Sequence, residues 1–297
     1  MPGHRTRRSP AWPSCRHCSA VGRPADGRAR RPSTSDLLRA WTAPSHYRLL
    51  PPVLVLLAGS LAGGIQPAGL LAGSLFVAWI FHARPHLAEG PWRAGALFAS
   101  LALAAHLLPG FTPLWLTEPR QLSPDTLAYG VRLSWDKLLL GATLLGWWWT
   151  ETTTRARARA WPYRAWACAL ATLLGVPLLA LAMGLVAWQP KWPAELPVWL
   201  AVNLGVTVLA EELLFRGLLQ DVLVQRLGTA RGITLSATLF GLAHAPFSLP
   251  FALLAGVAGL GYGGVMQLSG RLATAVLLHG AINLLHFLLL SYPLRLN

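Results

Sequence analysis

The stretch LPVWLAVNLGVTVLAEELLFRG, residues 196–217, decides the fold. It is apolar over most of its length and carries its only ionisable groups, Glu211, Glu212 and Arg216, near the end. A helix crosses about 30 Å of hydrocarbon with roughly 20 apolar residues, and only helices and closed barrels satisfy their own backbone there. Working outward, comparable runs lie at about 49–65, 68–83, 92–109, 132–150, 165–187, 231–247, 249–268 and 271–291. Pro and Gly punctuate many of the junctions, as at Pro109-Gly110, Gln189-Pro190 and Pro246 to Pro250. The expected fold is all-α, a polytopic transmembrane helix bundle of about eight or nine spans. The first two runs are short and joined by Gln66-Pro67, so a single hairpin that does not fully cross fits them equally well.

Composition points the same way. Of the 297 residues 54% are hydrophobic and 12% charged, with mean hydropathy +0.46, whereas soluble domains carry roughly 25% charged residues. Among the 14 Trp, those near the ends of apolar runs (Trp79, Trp115, Trp147, Trp148, Trp149, Trp188, Trp192) suit either a membrane interface or an aromatic core. The net charge of +14 is not a nucleic-acid footprint, because ten of the basic residues lie before Leu49 in a Pro- and Ser-rich tail. Such a composition buries too little apolar surface to order itself and is attracted to anionic lipid headgroups instead. No apolar segment follows the first basic cluster directly, so the tail does not read as a secretory signal. The three Cys exclude a disulfide scaffold. Cys15-Arg-His-Cys18 is half a zinc site with no second Cys pair to complete it, and Cys168 lies in an apolar run.

The expected organisation is a basic cytoplasmic tail over 1–48, N-terminal transmembrane helices over 49–187 and a chemistry-bearing core over 196–291. With the tail inside, alternating spans place Arg84, Arg93, Arg155, Arg157, Arg159, Arg164, Arg226, Arg231 and Arg271 inside. Arg120, Lys191 and Arg295 fall outside, which is the positive-inside bias of a multi-pass plasma-membrane protein. The connection at about 110–131 is the longest outer loop and a candidate lid or entrance.

An ionisable group inside a span costs several kcal/mol unless paired, so three clusters carry the functional reading. In Glu211-Glu212-Leu-Leu-Phe215-Arg216 the four-residue spacing sets Glu212 beside Arg216, and Glu211, about 100° round the helix, is left available. Phe240-Gly-Leu-Ala-His244 ends where Pro246 interrupts the helix, and His279-Gly-Ala-Ile-Asn283 aligns two polar side chains on one face. Gly256, Gly259, Gly261, Gly263 and Gly264 allow close helix approach, so the clusters can meet in one bundle interior. Counting inward from Arg216, Arg271 and Arg231, however, His244 lies deeper than Glu211 and His279.

Glu-Glu-x-x-x-Arg, Phe-x-x-x-His and His-x-x-x-Asn, in this order within about residues 196–291, resemble the signature of the CPBP intramembrane proteases, which include the CAAX prenyl endopeptidases and Abi-type bacteriocin-processing proteins. The resemblance implies that Glu211 and His244 activate a water, that His279 and Asn283 stabilise the oxyanion, and that Glu212, Arg216 and Phe240 support the site. It implies an endopeptidase acting on a membrane-associated peptide or protein within the bilayer. The Pro and Arg content is that of a high-GC bacterial chain, which favours a peptide or membrane anchor over a prenylated C-terminus. Metal-free catalysis is the expectation, and a zinc site formed by Glu211, His244 and His279 is the alternative. A non-catalytic scaffold or immunity protein, and a small-solute or ion transporter using the same polar residues, are the competing classes; the latter lacks internally repeated halves.

Overall fold

The computed structural model describes residues 47–152 and 162–295. The tail before Tyr47, with Cys15 and Cys18, and Arg155, Arg157 and Arg159 lie outside the described residues. Among those described, each apolar run forms a helix, and there are nine. They are α1 (Tyr47–Leu61), α2 (Pro67–Ala83), α3 (Glu89–Ala104), α4 (Trp135–Thr152), α5 (Tyr163–Ala182), α6 (Leu196–Leu227), α7 (Thr229–Ala243), α8 (Leu249–Ser269) and α9 (Leu272–Leu289). Four of these, α5, α6, α8 and α9, are long and apolar enough to cross a membrane. The apolar α1 is shorter, about 22 Å at 1.5 Å per residue, and the length criterion therefore does not establish the full count of eight or nine spans.

The helix ends follow local chemistry. Ser248 caps α8 by accepting the Phe251 N–H at 3.2 Å, with Pro250 in its first turn, where the missing N–H costs nothing. Gly270, at φ +69°, closes α8 in the left-handed region that a Cβ disfavours. The run expected at 92–109 stops at Ala104, where His106 turns the chain at φ +58°. The run expected at 132–150 yields its first residues to a two-residue strand, β2 (Arg132–Leu133), antiparallel to β1 (Leu114–Trp115). Conversely, α6 continues ten residues beyond the expected end at 217, to Leu227.

Neighbouring contacts fix the helix directions. Gly141 of α4 lies against Ala210 and Gly217 of α6 against Trp148, so α4 and α6 run parallel. The Ser236 hydroxyl of α7 donates to the Phe215 carbonyl of α6 at 3.1 Å, and Gly232 packs on Val224, so α7 runs back along α6. In α8, Gly259 and Gly263 offer their carbonyls to Arg216 (3.2 Å) and Gln220 (3.1 Å) of α6, a parallel pairing in which two i, i+4 rows meet. A Cβ on Gly241 of α7 would stand 2.6 Å from the Ala252 carbonyl of α8, so that crossing requires glycine. The small residues expected to permit close approach do so at these crossings.

The connections gather at two ends of the bundle. The α3–α4, α5–α6 and α7–α8 connections and the C-terminus share one end, called here the loop face. The starts of α1, α3, α5, α7 and α9 share the other. Exposed aromatics mark both ends: Trp115, Trp188, Trp192 and Phe247 at the loop face, and Tyr47, Trp149, Tyr163 and Trp166 at the opposite one. This is the distribution of interfacial belts. Other described Trp follow the core reading. Trp92 and Trp147 are buried, and Trp79 and Trp92 each donate an indole N–H to the other's carbonyl at 3.1 Å.

The 110–131 loop is fastened rather than free. Asp125 accepts from Ser291 (2.8 Å) and Gln189 (3.0 Å) and pairs with Arg295 (2.9 Å). Burial alone would raise the Asp125 carboxyl, but these hydrogen bonds and the Arg295 charge hold it below its ordinary value. Tyr129, Tyr292, Trp199 and Phe287 cluster under the loop, with Trp199 stacked on Phe287 at 4.2 Å. The loop thus ties the start of α6 to the end of α9.

Candidate active site

The site is built around the middle of α6. Glu211 and Glu212 sit in one α-helical turn between two π-helical segments, Asn203–Val208 and Leu213–Gln220. Wide turns of this kind recur at functional sites because they re-aim side chains relative to a regular helix. Glu212 and Arg216 are fully buried and face each other, with Nη1 3.2 Å from Oε1, which is the pairing expected from their spacing. The guanidinium also lies over the Phe240 ring (4.4 Å) and the Tyr262 ring (5.2 Å). A buried cation is thus matched by a carboxylate, a carbonyl and two aromatic faces.

The other two clusters converge on the same point. The His279 Nδ1 lies 2.9 Å from Glu212 Oε1, and its ring stacks on Tyr262 at 4.6 Å. Phe240 sits between the two histidines, 4.6 Å from the His244 ring and 5.9 Å from the His279 ring. Asn283 donates its Nδ2 to Asn203 Oδ1 at 3.3 Å, leaving the second amide N–H for another acceptor. The His244 Nδ1 lies 2.8 Å from the Phe240 carbonyl. A carbonyl can only accept, so Nδ1 carries the hydrogen and Nε2 of the neutral ring keeps its lone pair.

The sequence reading needs correction at Glu211, which it left unpaired. Lys137, in the first turn of α4, places Nζ 3.2 Å from Glu211 Oε1. Both carboxylates of the Glu-Glu pair therefore have cationic partners, and α4 supplies part of the site. The depth difficulty is also resolved. Because α6 continues to Leu227, Glu211 lies mid-helix rather than one to two turns from its inner end, nearer the depth of His244 at the C-terminal end of α7.

Lys137, Asn203 and Tyr262 were missed. Lys137 and Asn203 could have been found, because each is a polar group inside an apolar run and the default that singled out Glu211 applies to both. Tyr262, an aromatic in an apolar helix, carries no such signal.

Among the described residues no three His, Cys, Asp or Glu side chains are grouped to hold a metal ion. The Lys137 ammonium faces Glu211 Oε1, and the Glu212 contact at His279 Nδ1 leaves the ring's Nε2 as its free position.

With this geometry in hand, known proteins can be compared. Residues 193–285 match the family described as type II CAAX prenyl endopeptidase Rce1-like. No curated protein and no solved structure matches the chain. The matched segment holds α6 to α9 up to Asn283, and with it all three polar clusters. Over residues 193–285, about a third of the chain, the sequence is thus similar to this protease family, consistent with the resemblance to the CPBP proteases.

Proposed function

We propose that the protein is an intramembrane endopeptidase that hydrolyses a peptide bond of a membrane-associated peptide or protein with a water activated by Glu211 and His244, and without metal. The observation that carries this reading is that Phe240 stands between the His244 and His279 rings, with His279 held at Nδ1 by Glu212, the neighbour of Glu211 on α6. In this mechanism Glu211 takes a proton from the water as its oxygen attacks the carbonyl carbon. The second N–H of Asn283 donates to the oxyanion, joined by His279 Nε2–H when both ring nitrogens carry hydrogen, Nδ1–H being held by Glu212; such contacts contribute roughly 3–4 kcal/mol. The C–N bond then breaks, and the proton passes to the leaving nitrogen through Glu211 or His244, giving a carboxylate and an amine. The N-terminus is cytoplasmic and all nine helices cross or enter the bilayer.

Turnover of a membrane-peptide substrate by the purified protein, with elemental analysis before and after a strong chelator, tests the mechanism. We expect hydrolysis to survive stripping; stoichiometric zinc whose removal abolishes activity and whose return restores it overturns the metal-free reading. Solute flux into proteoliposomes without hydrolysis would favour a transporter instead.

Lys137 acts in this scheme as a positioning residue, fixing the Glu211 carboxylate and balancing its charge. Loss of a hydrogen bond to a charged group is worth about 1.5–3 kcal/mol, so Lys137→Met should lower kcat by at least roughly tenfold. KM should change little, and Lys137→Arg should recover most of the rate. A merely structural lysine would instead lower folded yield and leave kcat per folded molecule intact.

A further inference from the structure

We propose that Tyr262 of α8 is a positioning residue of this site, which fixes the plane of the His279 ring and so the direction in which its Nε2 meets the oxyanion. This rests on the proteolytic reading and adds a residue outside the three polar clusters to the same site. A histidine held at one nitrogen is only half held. Its ring turns about Cβ–Cγ, a torsion without sharp rotamer wells, and a hydrogen bond tolerates bending by about 30° from linear. The Glu212 oxygen 2.9 Å from Nδ1 excludes a flipped ring, but within that tolerance the plane can still swing, and Nε2 swings with it. Useful donation to a developing charge needs the donor about 3 Å from one defined position. A second restraint on the ring is therefore required.

Tyr262 supplies it. The phenol lies nearly parallel to the imidazole, with ring centroids 4.6 Å apart and an interplanar angle of 15°. Turning the imidazole out of its plane would drive its edge into the phenol. Phe240 meets the same imidazole at 5.9 Å and 89°, a perpendicular contact that covers no face and opposes that rotation less. The tyrosine is itself immobilised: it is 2% exposed, the Arg216 guanidinium lies over its ring at 5.2 Å, and the Phe240 ring meets it T-shaped at 6.2 Å. Both contacts are favourable to an aromatic ring. His279 is thus held at an edge by Glu212 and at a face by Tyr262, and the two holders are linked through Arg216.

The backbone of α8 accommodates this contact. Gly259-Leu-Gly261-Tyr262-Gly263-Gly264 sets one large side chain among four glycines. A Cβ on Gly263 would stand 2.4 Å from Gln220 Oε1 of α6, and one on Gly261 would stand 2.2 Å from Thr172 of α5. The glycines let α8 close on both neighbours, and the bulk at Tyr262 goes to the Arg216 and His279 side instead. Through this one side chain α8, which has no ionisable group besides the phenol, joins the site.

Kinetics and spectroscopy test this separately. Tyr262→Phe keeps the aromatic face and removes the hydroxyl, whereas Tyr262→Leu removes the face. Measured per folded molecule, Tyr262→Leu should lower kcat by roughly tenfold or more, as expected for a displaced oxyanion donor, with KM changed little. Tyr262→Phe should recover most of the rate. A Tyr262→Leu kcat equal to that of the unaltered protein, a loss confined to KM, or a Tyr262→Phe variant as slow as Tyr262→Leu overturns the proposal. The second measurement requires neither activity nor a folded Tyr262 variant. In the full chain with isotopically labelled histidine, the His279 ring resonances are identified by their loss in His279→Gln. Protons over an aromatic face are shifted upfield by its ring current, so these resonances should lie upfield of those of the exposed histidines, and His279 signals at the exposed position in the unaltered protein overturn the stack. Where Tyr262→Leu folds, it should move them toward the exposed position, and Tyr262→Phe should not. The two measurements keep the readings apart: an upfield His279 in a protein that hydrolyses nothing refutes proteolysis with the ring restraint intact, while hydrolysis unchanged by Tyr262→Leu refutes the positioning role with proteolysis intact.

Discussion

Glu211→Gln is expected to remove peptide hydrolysis while the protein stays folded in detergent. General-base catalysis contributes roughly 10²- to 10⁴-fold, and a neutral amide cannot accept the water's proton, so kcat should fall by about that factor. The substitution is close to isosteric and retains an oxygen that can face Lys137, so little of the surrounding packing is disturbed. Glu211 is also the less enclosed carboxylate of the pair, 9% exposed against 0% for Glu212, which suits the one that must meet substrate and water. The comparison with Glu212→Gln separates roles. That variant weakens the Arg216 and His279 contacts and should lose folded yield along with activity. Full hydrolysis by Glu211→Gln, measured per folded molecule, would remove Glu211 from the mechanism.

The sequence was most informative where a local rule applied. Each apolar run became a helix because burying or spanning demands one whatever the neighbours are, and the Glu212–Arg216 pair followed from a four-residue spacing that survives even beside wide helical turns. The convergence of His244 and His279 was legible only through order and residue type, since no local rule says that Phe240 should stand between their rings. What escaped was long-range. Lys137 and Glu211 are 74 residues apart and meet because α4 runs parallel to α6, a packing choice that periodicity does not encode. Leaving Glu211 unpaired was the consequence of looking for its partner on its own helix. The number of spans was illegible for a different reason. Apolar runs of 12 to 17 residues satisfy their backbone equally well as short spans, re-entrant hairpins or buried helices, and α1 and α2 fall in that range.

Arg216→Ala should be the most destabilising single change in the core. The guanidinium is fully buried, faces Glu212 at 3.2 Å, donates to the Gly259 carbonyl at 3.2 Å and lies over the Phe240 and Tyr262 rings. Removing it leaves Glu212 as a buried carboxylate with only His279 beside it, and breaking a buried ion pair from one side costs about 3–5 kcal/mol. The loss spreads beyond the pair. Gly259 is glycine because a Cβ there would sit 3.2 Å from the Arg216 Nη2 and from Ala237, so α8 approaches α6 around the guanidinium and a cavity would open at that contact. Folded yield and the midpoint of thermal unfolding in detergent, compared with Glu211→Gln and the unaltered protein, measure this directly. The expected result is a large fall for Arg216→Ala and almost none for Glu211→Gln. Adding Glu212→Gln to Arg216→Ala removes the stranded charge and should recover part of the loss, although Gln cannot rebuild the ion pair. Equal unfolding midpoints for Arg216→Ala and the unaltered protein would show that the pair is not what holds α6 against α8; a fall that the second substitution partly reverses would locate the cost in the stranded carboxylate.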